Sequence, residues 1–225
     1  MGSDAFFVFD GTVRKLPCTV EDFVFDEIDT TQYEQVFAGS NSAFGEVWWF
    51  YCSSASNQVD KYVIWNYQEN LWYTGSLDRS TWVDSGTYPL PYATKYDGTN
   101  STLLIHESGK DDDGSTMTSF IESGDFDIGD GDDILFINKL IPDFKGQVGN
   151  VNISLKSRYF PTDTQTTKGP FRYSASSTKI NTRTRGRQVA VRLESNGFND
   201  INNDAIGEDW RLGTIRFEVQ PDGKR

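Results

Sequence analysis

The sequence predicts an all-β protein made of short antiparallel strands, and three observations lead to this prediction. Aromatic residues make up 14% of the 225-residue chain, so the apolar mass lies in Trp, Tyr and Phe more than in Leu and Ala. The 20 glycines and the scarcity of good helix formers suit twisted strands joined by tight turns. About a dozen short apolar runs recur at roughly regular spacing, as in a sandwich, a barrel or a propeller.

The first elements are predicted from turn chemistry. Two apolar runs flank Asp10-Gly11, a dipeptide that favours a hairpin turn. Residues 19–37 are the one segment compatible with a helix, although their Thr and Asp content argues against it. Strands are then predicted over 45–54 and 60–77, where Glu69-Asn70 turns the second run into another hairpin.

Later strands are predicted in the runs "STWVDSG", "YATKYDG", "STLLIHESG", "MTSFIESGDFDIG", "DILFINKLIPDF", "GNVNISLKSRYFP", "FRYSASS", "RGRQVAVRLES" and "DWRLGTIRFEVQPDG". We expect residues 1–225 to form a single propeller-like domain, either a propeller or a partial propeller. Because a blade takes roughly 40–50 residues, the chain supplies about four blades.

Adjacent Trp48 and Trp49 identify a strand that is apolar on both faces, because neighbouring side chains of a strand point in opposite directions. This pattern favours a sheet packed between two other layers. The alternative is that the aromatic residues around this strand form a stacking platform for sugars or bases.

The charge is uneven along the chain, whose formal net charge is −12. Residues 1–150 contain 8 basic and 25 acidic residues, whereas residues 151–225 contain 13 basic and 8 acidic residues. Such polarity suits head-to-tail docking or partners of opposite charge, and the alternative is that acidic surface merely keeps the protein soluble.

Cys18 and Cys52 are too few for a disulfide framework and lack metal-ligand spacing, and Cys52 is expected to be a buried structural thiol. No apolar stretch approaches the ~20 residues that span a bilayer, and no signal peptide opens the chain. We expect a soluble protein without a membrane partner.

Catalysis has little support in the sequence. The one histidine, His106, lies in a predicted strand, where a structural role is far more common. There is no nucleophile elbow, phosphate loop or zinc-ligand cluster. The sequence therefore predicts a non-enzymatic protein with no cofactor.

Two acidic clusters resemble calcium loops, and both depart from the required spacing. The first cluster spans residues 125–133, where Gly129 stands at the position of a third side-chain ligand. The second spans residues 200–209, where Ala205 replaces the turn glycine, and Arg211 follows at the position of the bidentate glutamate. Solvated turns are favoured over metal sites for both. The weak calcium candidates are Asp125, Asp127, Asp130, Asp200, Asn202 and Asp204.

An arginine-rich stretch stands out in this acidic chain. In an extended strand, Arg183, Arg185 and Arg187 project on one face, and beyond Gly186 the pattern becomes that of a half-buried strand that includes Arg192. An arginine ladder suits carboxylates or phosphates. Its targets could be acidic loops of a neighbouring subunit, nucleic acid or the chain's own acids.

The C-terminal stretch "RTRGRQVAVRLES…GEDWRLGTIRFEVQPDGKR" resembles the closing segment of bacteriophage packaged-DNA stabilisation or head-completion proteins, the tail hubs of short-tailed phages. The matching features are an Arg-rich strand, an apolar strand ending in Glu-Ser, an Asp-Trp-Arg-Leu-Gly segment and a Gln-Pro-Asp-Gly-basic terminus. They occupy residues 183–187, 189–195, 209–213 and 220–225.

The resemblance implies a β-propeller that binds beneath the portal ring, seals the DNA-filled capsid and carries tail parts, without catalysis. Its partners would be the portal protein, other tail subunits and neighbouring copies, with indirect contact to packaged DNA. The location would be the virion, assembled in the host cytoplasm. Candidate partner-binding residues are Arg183, Arg185, Arg187, Arg192, Trp210 and Arg211.

The chain departs from this family in two respects. Family members tend to be much longer, so the chain would be the C-terminal portion of a longer protein, a natural short form or an excised domain. The run "GFNDINNDAIGE" resembles an insertion before Asp209. The alternative function is a carbohydrate-binding β module, such as a tail adhesin with Trp and Tyr platforms.

Overall fold

The computed structural model describes residues 1–195 and 207–224. In that part of the chain the backbone forms sixteen β-strands, one short α-helix and two 3₁₀ turns, so the all-β prediction is confirmed. The chain divides into two compact units, Met1–Ser108 and Gly109–Arg225, which we call unit 1 and unit 2. The single domain over 1–225 stays a prediction.

Unit 1 contains three antiparallel sheets whose strands pair in chain order. They are a β1-β2 hairpin, a four-stranded sheet of order β3-β4-β5-β6 and a three-stranded sheet of order β7-β8-β9. The strands are β1 (Phe6–Phe9), β2 (Val13–Leu16), β3 (Phe37–Asn41), β4 (Glu46–Tyr51), β5 (Lys61–Asn66), β6 (Leu71–Ser76), β7 (Thr81–Val83), β8 (Tyr92–Tyr96) and β9 (Ser101–Ile105).

The four-stranded sheet of unit 1 is covered on both faces. Trp49 of β4 packs toward the hairpin, where its ring centroid lies 4.9 Å from that of Phe6. Trp48 points the other way, and the ring of Trp82 on β7 stacks against it at 5.1 Å. The adjacent tryptophans therefore serve two separate layers, as the alternation along a strand predicts.

The two predicted hairpin turns of unit 1 are confirmed. Asp10-Gly11 lies between β1 and β2, and Gly11 adopts a φ of 104°, which favours glycine. Between β5 and β6, Asn70 has a φ of 53°, and the side-chain oxygen of Asn66 accepts hydrogen bonds from the backbone N–H groups of Gln68 and Glu69.

The segment 19–37 does form helical structure, although its composition disfavours a helix. Helix α1 spans Glu21–Glu27, and a 3₁₀ turn follows at Thr30–Gln35. Val24 is fully buried in the core beside the hairpin, and Phe25 packs at the edge of that core. Because burial of one apolar face stabilises a short helix more than propensity does, tertiary packing outweighs the local preference here.

The described part of unit 2 contains two antiparallel sheets in which most neighbouring strands are not consecutive in the chain, the exception being β12 and β13. Their orders are β10-β15-β12-β13 and β14-β11-β16. The strands are β10 (Phe120–Glu122), β11 (Asp133–Val148), β12 (Asn150–Arg158), β13 (Thr166–Ser174), β14 (Ile180–Gly186), β15 (Gln188–Ser195) and β16 (Asp209–Lys224). A second 3₁₀ turn, Gly129–Gly131, precedes β11.

The two sheets of unit 2 enclose one aliphatic core. Buried apolar side chains of β11, β12, β13, β14 and β15 fill that core, and apolar side chains of β16 pack against it, as expected for a sandwich. The buried members are Ile137, Leu140, Val151, Ile153, Leu155, Tyr173, Ile180, Val189, Val191 and Leu193.

Residues 180–195 form two strands in different sheets rather than one continuous strand. β14 belongs to the three-stranded sheet and β15 to the four-stranded sheet, with Arg187 between them. Within β15, Val189, Val191 and Leu193 are buried as the alternation predicts. The arginine-rich stretch therefore turns the corner of the sandwich.

A propeller blade is a four-stranded meander, and the β3–β6 sheet of unit 1 has that order. Both sheets of unit 2 join strands that are not consecutive, which is not the order of a blade. The finding is an all-β fold of separate antiparallel sheets, and the count of about four blades stays a prediction. No helix in residues 1–195 and 207–224 is long and apolar enough to cross a membrane.

Candidate docking surface

The outer face of β14 carries an exposed row of polar side chains. Burial alternates along the strand, because Thr182 and Thr184 face the core whereas Asn181, Arg183 and Arg185 face outward. The two buried hydroxyl groups satisfy each other with a hydrogen bond of 3.0 Å. The strand therefore holds the two arginines side by side, with Cα atoms about 6.6 Å apart.

These two arginines are available to a partner. The guanidinium group of Arg183 has no hydrogen bond or ion pair with any residue in the described part of the chain. Arg185 donates from Nε to Asp222 Oδ2 at 2.7 Å, and these side chains are 51% and 44% exposed. An ion pair so exposed contributes little to stability, so Arg185 can exchange its partner.

Arg187 and Arg192 are engaged within unit 2. Arg187 is half-buried and donates from Nε to the backbone oxygen of Gly131. The Nη1 of Arg192 lies 3.0 Å from Glu122, and its Nε lies 2.8 Å from Glu194. The exposed ladder is therefore Arg183 and Arg185, and the structure corrects the expectation of three projecting arginines.

The cluster around Arg192 is strongly charged and structural. Burial raises the pKa of Glu122, but hydrogen bonds from Lys156 and Arg192 outweigh it and hold that pKa below its usual value. Burial lowers the pKa of Arg192, whereas hydrogen bonds to Glu194 and Glu122 more than compensate and raise it. These groups stabilise the sheet by pairing with one another.

Trp210 and Arg211, also predicted to bind a partner, point in different directions from β16. Trp210 is half-buried and packs edge-on against Phe144, with ring centroids 6.0 Å apart. Arg211 is exposed and lies opposite Lys145 in the sheet register. Lys145 is seven residues along β11 from the region beside Arg183, or about 23 Å. Trp210 thus belongs to the core, and Arg211 is remote from the ladder.

Three residues beside Arg183 and Arg185 were not predicted from the sequence. Lys179 is exposed and precedes Arg183 by four residues, so extending the alternation backwards would have found it. Lys168 of β13 donates to the backbone oxygen of Arg183 at 2.9 Å. Phe136, half-buried on β11, lies directly opposite Arg185. No local pattern connects Lys168 or Phe136 to β14, because they come from other strands.

The acidic turns do not form a metal site in the part of the chain that the structure describes. Asp125 pairs with Arg158 and accepts a hydrogen bond from Gln165. Asp130 has a φ of 54° within the turn before β11, and the carboxylate of Asp127 lies near Gly131 of the same turn. Residues 1–195 and 207–224 contain no group of three or more His, Cys, Asp or Glu side chains that could hold a metal. The candidates Asp200, Asn202 and Asp204 lie outside the described residues.

His106 has structural contacts just after β9. Its Nε2 accepts a hydrogen bond of 2.9 Å from Arg79 Nε, and its ring lies 4.8 Å from that of Trp82. The Arg79 side chain is only 5% exposed and also donates to the backbone oxygen of Asp78. The histidine thus supports a buried arginine.

The tryptophans of unit 1 pack within the unit. Trp49 and Trp72 are buried, and the indole N–H of Trp72 donates to the backbone oxygen of Pro17. The N–H groups of Trp48 and Trp82 donate to Glu46 and to the backbone of residue 40. Trp48, Trp49, Trp72 and Trp82 therefore pack in or against the cores of unit 1.

Cys52 is a buried thiol in the core beside Phe50, as predicted. Burial raises the pKa of its thiol, which disfavours the reactive thiolate. Cys18 is half-buried, and burial raises its pKa too.

No model of a known protein family matches the chain, and no curated protein matches it. Function is therefore inferred from the residues themselves. The exposed face of β14 presents two guanidinium groups on a strand fixed from behind, which is suited to bind carboxylates or phosphates of a partner.

Proposed function

We propose that the protein is a non-enzymatic structural component of a bacteriophage virion at the portal–tail junction, where it stabilises packaged DNA and serves as a tail hub. It assembles in the host cytoplasm. It contacts the portal protein, other tail subunits and neighbouring copies of itself, and packaged DNA only indirectly.

The observation that carries this proposal is the exposed pair Arg183 and Arg185 on β14. The alternation along β14 buries its threonines and directs both arginines to one outer face. A single partner surface can therefore meet both guanidinium groups. In a chain of net charge −12, such a basic face suits an acidic protein partner.

The resemblance to tail-hub proteins is consistent with this location. Residues 183–187, 189–195 and 209–213 fall in or beside β14, β15 and the start of β16 of one unit. β14 and β16 both flank β11 in a single sheet. The motifs behind the resemblance therefore belong to one unit, where they are divided between its two sheets.

We infer further that unit 1 is a partial propeller. The β3–β6 meander has the strand order of a blade, and the β7–β9 meander follows it in the chain. The β3–β6 sheet is packed on both faces by aromatic residues, as a blade is between its neighbours. Imaging a complex with portal rings at a resolution that separates the sheets tests this inference.

The test of the proposed function is binding to portal rings of a short-tailed phage, observed by negative-stain microscopy and by co-sedimentation. We expect the wild-type chain to decorate the rings. The double substitution Arg183→Glu with Arg185→Glu should reduce occupancy at least tenfold, because two attractive contacts become repulsive. Rings that stay bare with the wild-type chain would overturn the proposal.

The matched control is Lys145→Glu, which reverses an exposed basic residue on the same sheet but far from the ladder. It should leave ring occupancy unchanged. Equal losses in the control and the double variant would mean that net charge, rather than the β14 face, governs binding.

A carbohydrate-binding module is the second candidate, and one observation in unit 1 favours it. An open groove of about 580 Å³ lies beside the buried Arg79. Amide, carboxylate and phenol groups line it, which is the chemistry that binds sugar hydroxyls. They come from Glu34, Gln35, Asn57, Gln58, Asp78 and Tyr96. Calorimetric titration with oligosaccharides tests this candidate, and Tyr96→Ala should abolish any binding heat.

A further inference from the structure

We propose that the acidic outer face of α1 in one copy docks onto the basic β14–β11 face of the next copy, head to tail. This inference rests on the proposed function, because it names the partner of the same arginine surface. It commits to one partner, a second copy of this chain.

The acidic side of the proposed contact is concentrated in one segment. Residues 16–60 contain eight Asp and Glu residues and no Lys or Arg. On α1, Asp22 and Asp26 are both exposed and have no ion pair within the described part of the chain. Phe23 lies beside them and is 58% exposed. The outer face of α1 is thus an exposed aromatic ring flanked by two carboxylates.

The basic side has matching chemistry. Arg183 is exposed and has no ion pair with any described residue, and Arg185 is held only by an exposed pair. Lys179 is also exposed, and it attracts the carboxylate of Glu218 on β16. Phe136 lies next to Arg185 on the same outer face. The surface is therefore cationic with an aromatic residue beside the charges, the complement of the α1 face.

The spacing of the charges also matches. Asp22 and Asp26 are four residues apart on a helix, a rise of about 6 Å. Arg183 and Arg185 are two residues apart on a strand, about 6.6 Å. Two carboxylates can therefore meet two guanidinium groups at once, while Phe23 reaches Phe136.

The ion pairs already on the basic face do not compete strongly. The Arg185–Asp222 pair is about half exposed, and such pairs contribute at most about 1 kcal/mol. Exchanging Asp222 for a carboxylate of the neighbour removes water from the new pair and adds contact between two aromatic rings. Since α1 and β14 are different surfaces, the contact is heterologous and can extend into a ring or filament.

Sedimentation velocity without portal protein tests the docking through two variants with opposite defects. One carries Arg183→Glu and Arg185→Glu, and the other carries the uncharged substitutions Asp22→Asn and Asp26→Asn, which cannot attract the new glutamates. We expect the wild-type chain to associate at low salt, with at least tenfold weaker association at high salt. Each variant alone should stay monomeric.

The mixture of the two variants gives the decisive result. The first variant keeps an intact α1 face and the second keeps an intact β14 face, so one productive contact remains between them. A 1:1 mixture should form a dimer and nothing larger. A mixture that stays monomeric, or a wild-type chain that is monomeric at every salt and protein concentration, overturns the docking.

Two controls separate a specific contact from general charge effects. Lys145→Glu and Glu69→Lys reverse exposed charges elsewhere in unit 2 and unit 1, and both should associate like the wild type. Far-ultraviolet circular dichroism should confirm that every variant keeps its β content. A matched loss of association in these controls overturns the docking.

This experiment is independent of the portal-ring test. Self-association in a chain that leaves portal rings bare supports the docking and overturns the proposed function. A chain that decorates rings but stays monomeric alone overturns the docking and supports the proposed function.

Discussion

Unit 1 and unit 2 are of similar length and are both built of antiparallel strands, yet their cores are built from different residues. In unit 1 the layers are joined by aromatic contacts, such as those of Phe6 with Trp49 and Trp72. In unit 2 the core is almost entirely Ile, Leu and Val. The pairing differs as well, because unit 1 joins only consecutive strands, whereas unit 2 joins mostly strands that are not consecutive, β12 and β13 being the exception.

The comparison teaches that side-chain size and topology are linked here. A meander of short strands has little area per layer, and a Trp or Phe ring buries more apolar surface per residue than a Val or Leu does. Unit 2 has longer strands and encloses small aliphatic side chains between two whole sheets. The charges follow the same division, with 5 basic and 15 acidic residues in unit 1 and 16 and 18 in unit 2.

The largest expected effect comes from truncating one core residue in each unit. Phe6→Ala removes a fully buried ring between three other rings and should destabilise unit 1 by about 3–5 kcal/mol. Leu155→Ala should destabilise unit 2 by about 2–5 kcal/mol.

Thermal unfolding followed by tryptophan fluorescence distinguishes the two, because five of the six tryptophans lie in unit 1. Phe6→Ala should lower the fluorescence midpoint more than Leu155→Ala does. Equal shifts in fluorescence and in circular dichroism for both variants would mean that the units unfold as one, and the comparison would fail.

A smaller effect is expected where unit 1 is most tightly stacked. A Cβ added at Gly39 of β3 would lie 2.8 Å from Trp82 Cγ, so Gly39→Ala must displace the ring between the two sheets. We expect a loss of about 1–3 kcal/mol in the free energy of unfolding by urea. Gly124→Ala in unit 2 is the matched control, since its Cβ would meet nothing within 4 Å, and it should not destabilise.

Acid pH should act on the two units in opposite directions through Glu46 and Glu122. Burial raises the pKa of Glu46, only partly opposed by the hydrogen bond from Trp48. The folded state then binds protons more readily than the unfolded state, so unit 1 gains stability as pH falls through that raised pKa toward 4.5.

Glu122 has the opposite sign. Its folded pKa is depressed, so its contribution is present above 4.5 and is lost as pH falls through the lower value. At pH 7, Glu122→Gln should cost about 1 kcal/mol, given partial exposure, whereas Glu46→Gln should be neutral or stabilising. Urea unfolding at pH 7 and pH 4 measures both. Parallel pH profiles in the two variants would contradict this assignment.

The smallest effect is expected at the surface of unit 2. Arg185→Gln removes one exposed ion pair and should change the free energy of unfolding by less than about 0.5 kcal/mol. If it destabilises more than 1 kcal/mol in a urea titration (roughly the upper limit for an exposed pair), Arg185 is a structural residue and the contrast between exposed and engaged arginines is wrong.

Local features of the fold could be predicted from particular residues. Asp10-Gly11 marks the first hairpin, and Trp48-Trp49 marks a sheet covered on both faces. The alternation of Thr182 and Thr184 with the arginines correctly orients β14. Each of these depends on sequence neighbours within a few positions, where turn chemistry and strand periodicity suffice.

Long-range features could not be predicted in the same way. The pattern of β11 shows which side chains are buried, but not that its partners are β14 and β16. Helix α1 is stabilised because Val24 is buried against the β1-β2 hairpin, and this contact cannot be predicted from the helix propensity of residues 21–27. Strand periodicity predicts that Arg187 projects with Arg183 and Arg185. Gly186 is the one local sign that the chain passes from one sheet to the other at this point.

The pairing of β11 with β16 has a consequence for how the protein is made. β11 begins at residue 133, yet the partner along most of its length runs from Asp209 to Lys224. On the ribosome, the sheets of unit 1 can pair as soon as their strands emerge, since each strand pair there joins strands that are consecutive in the chain. The apolar side of β11 must wait through about seventy further residues of synthesis, which takes several seconds. During that interval it is the part of the nascent chain most exposed to chaperones and to mispairing.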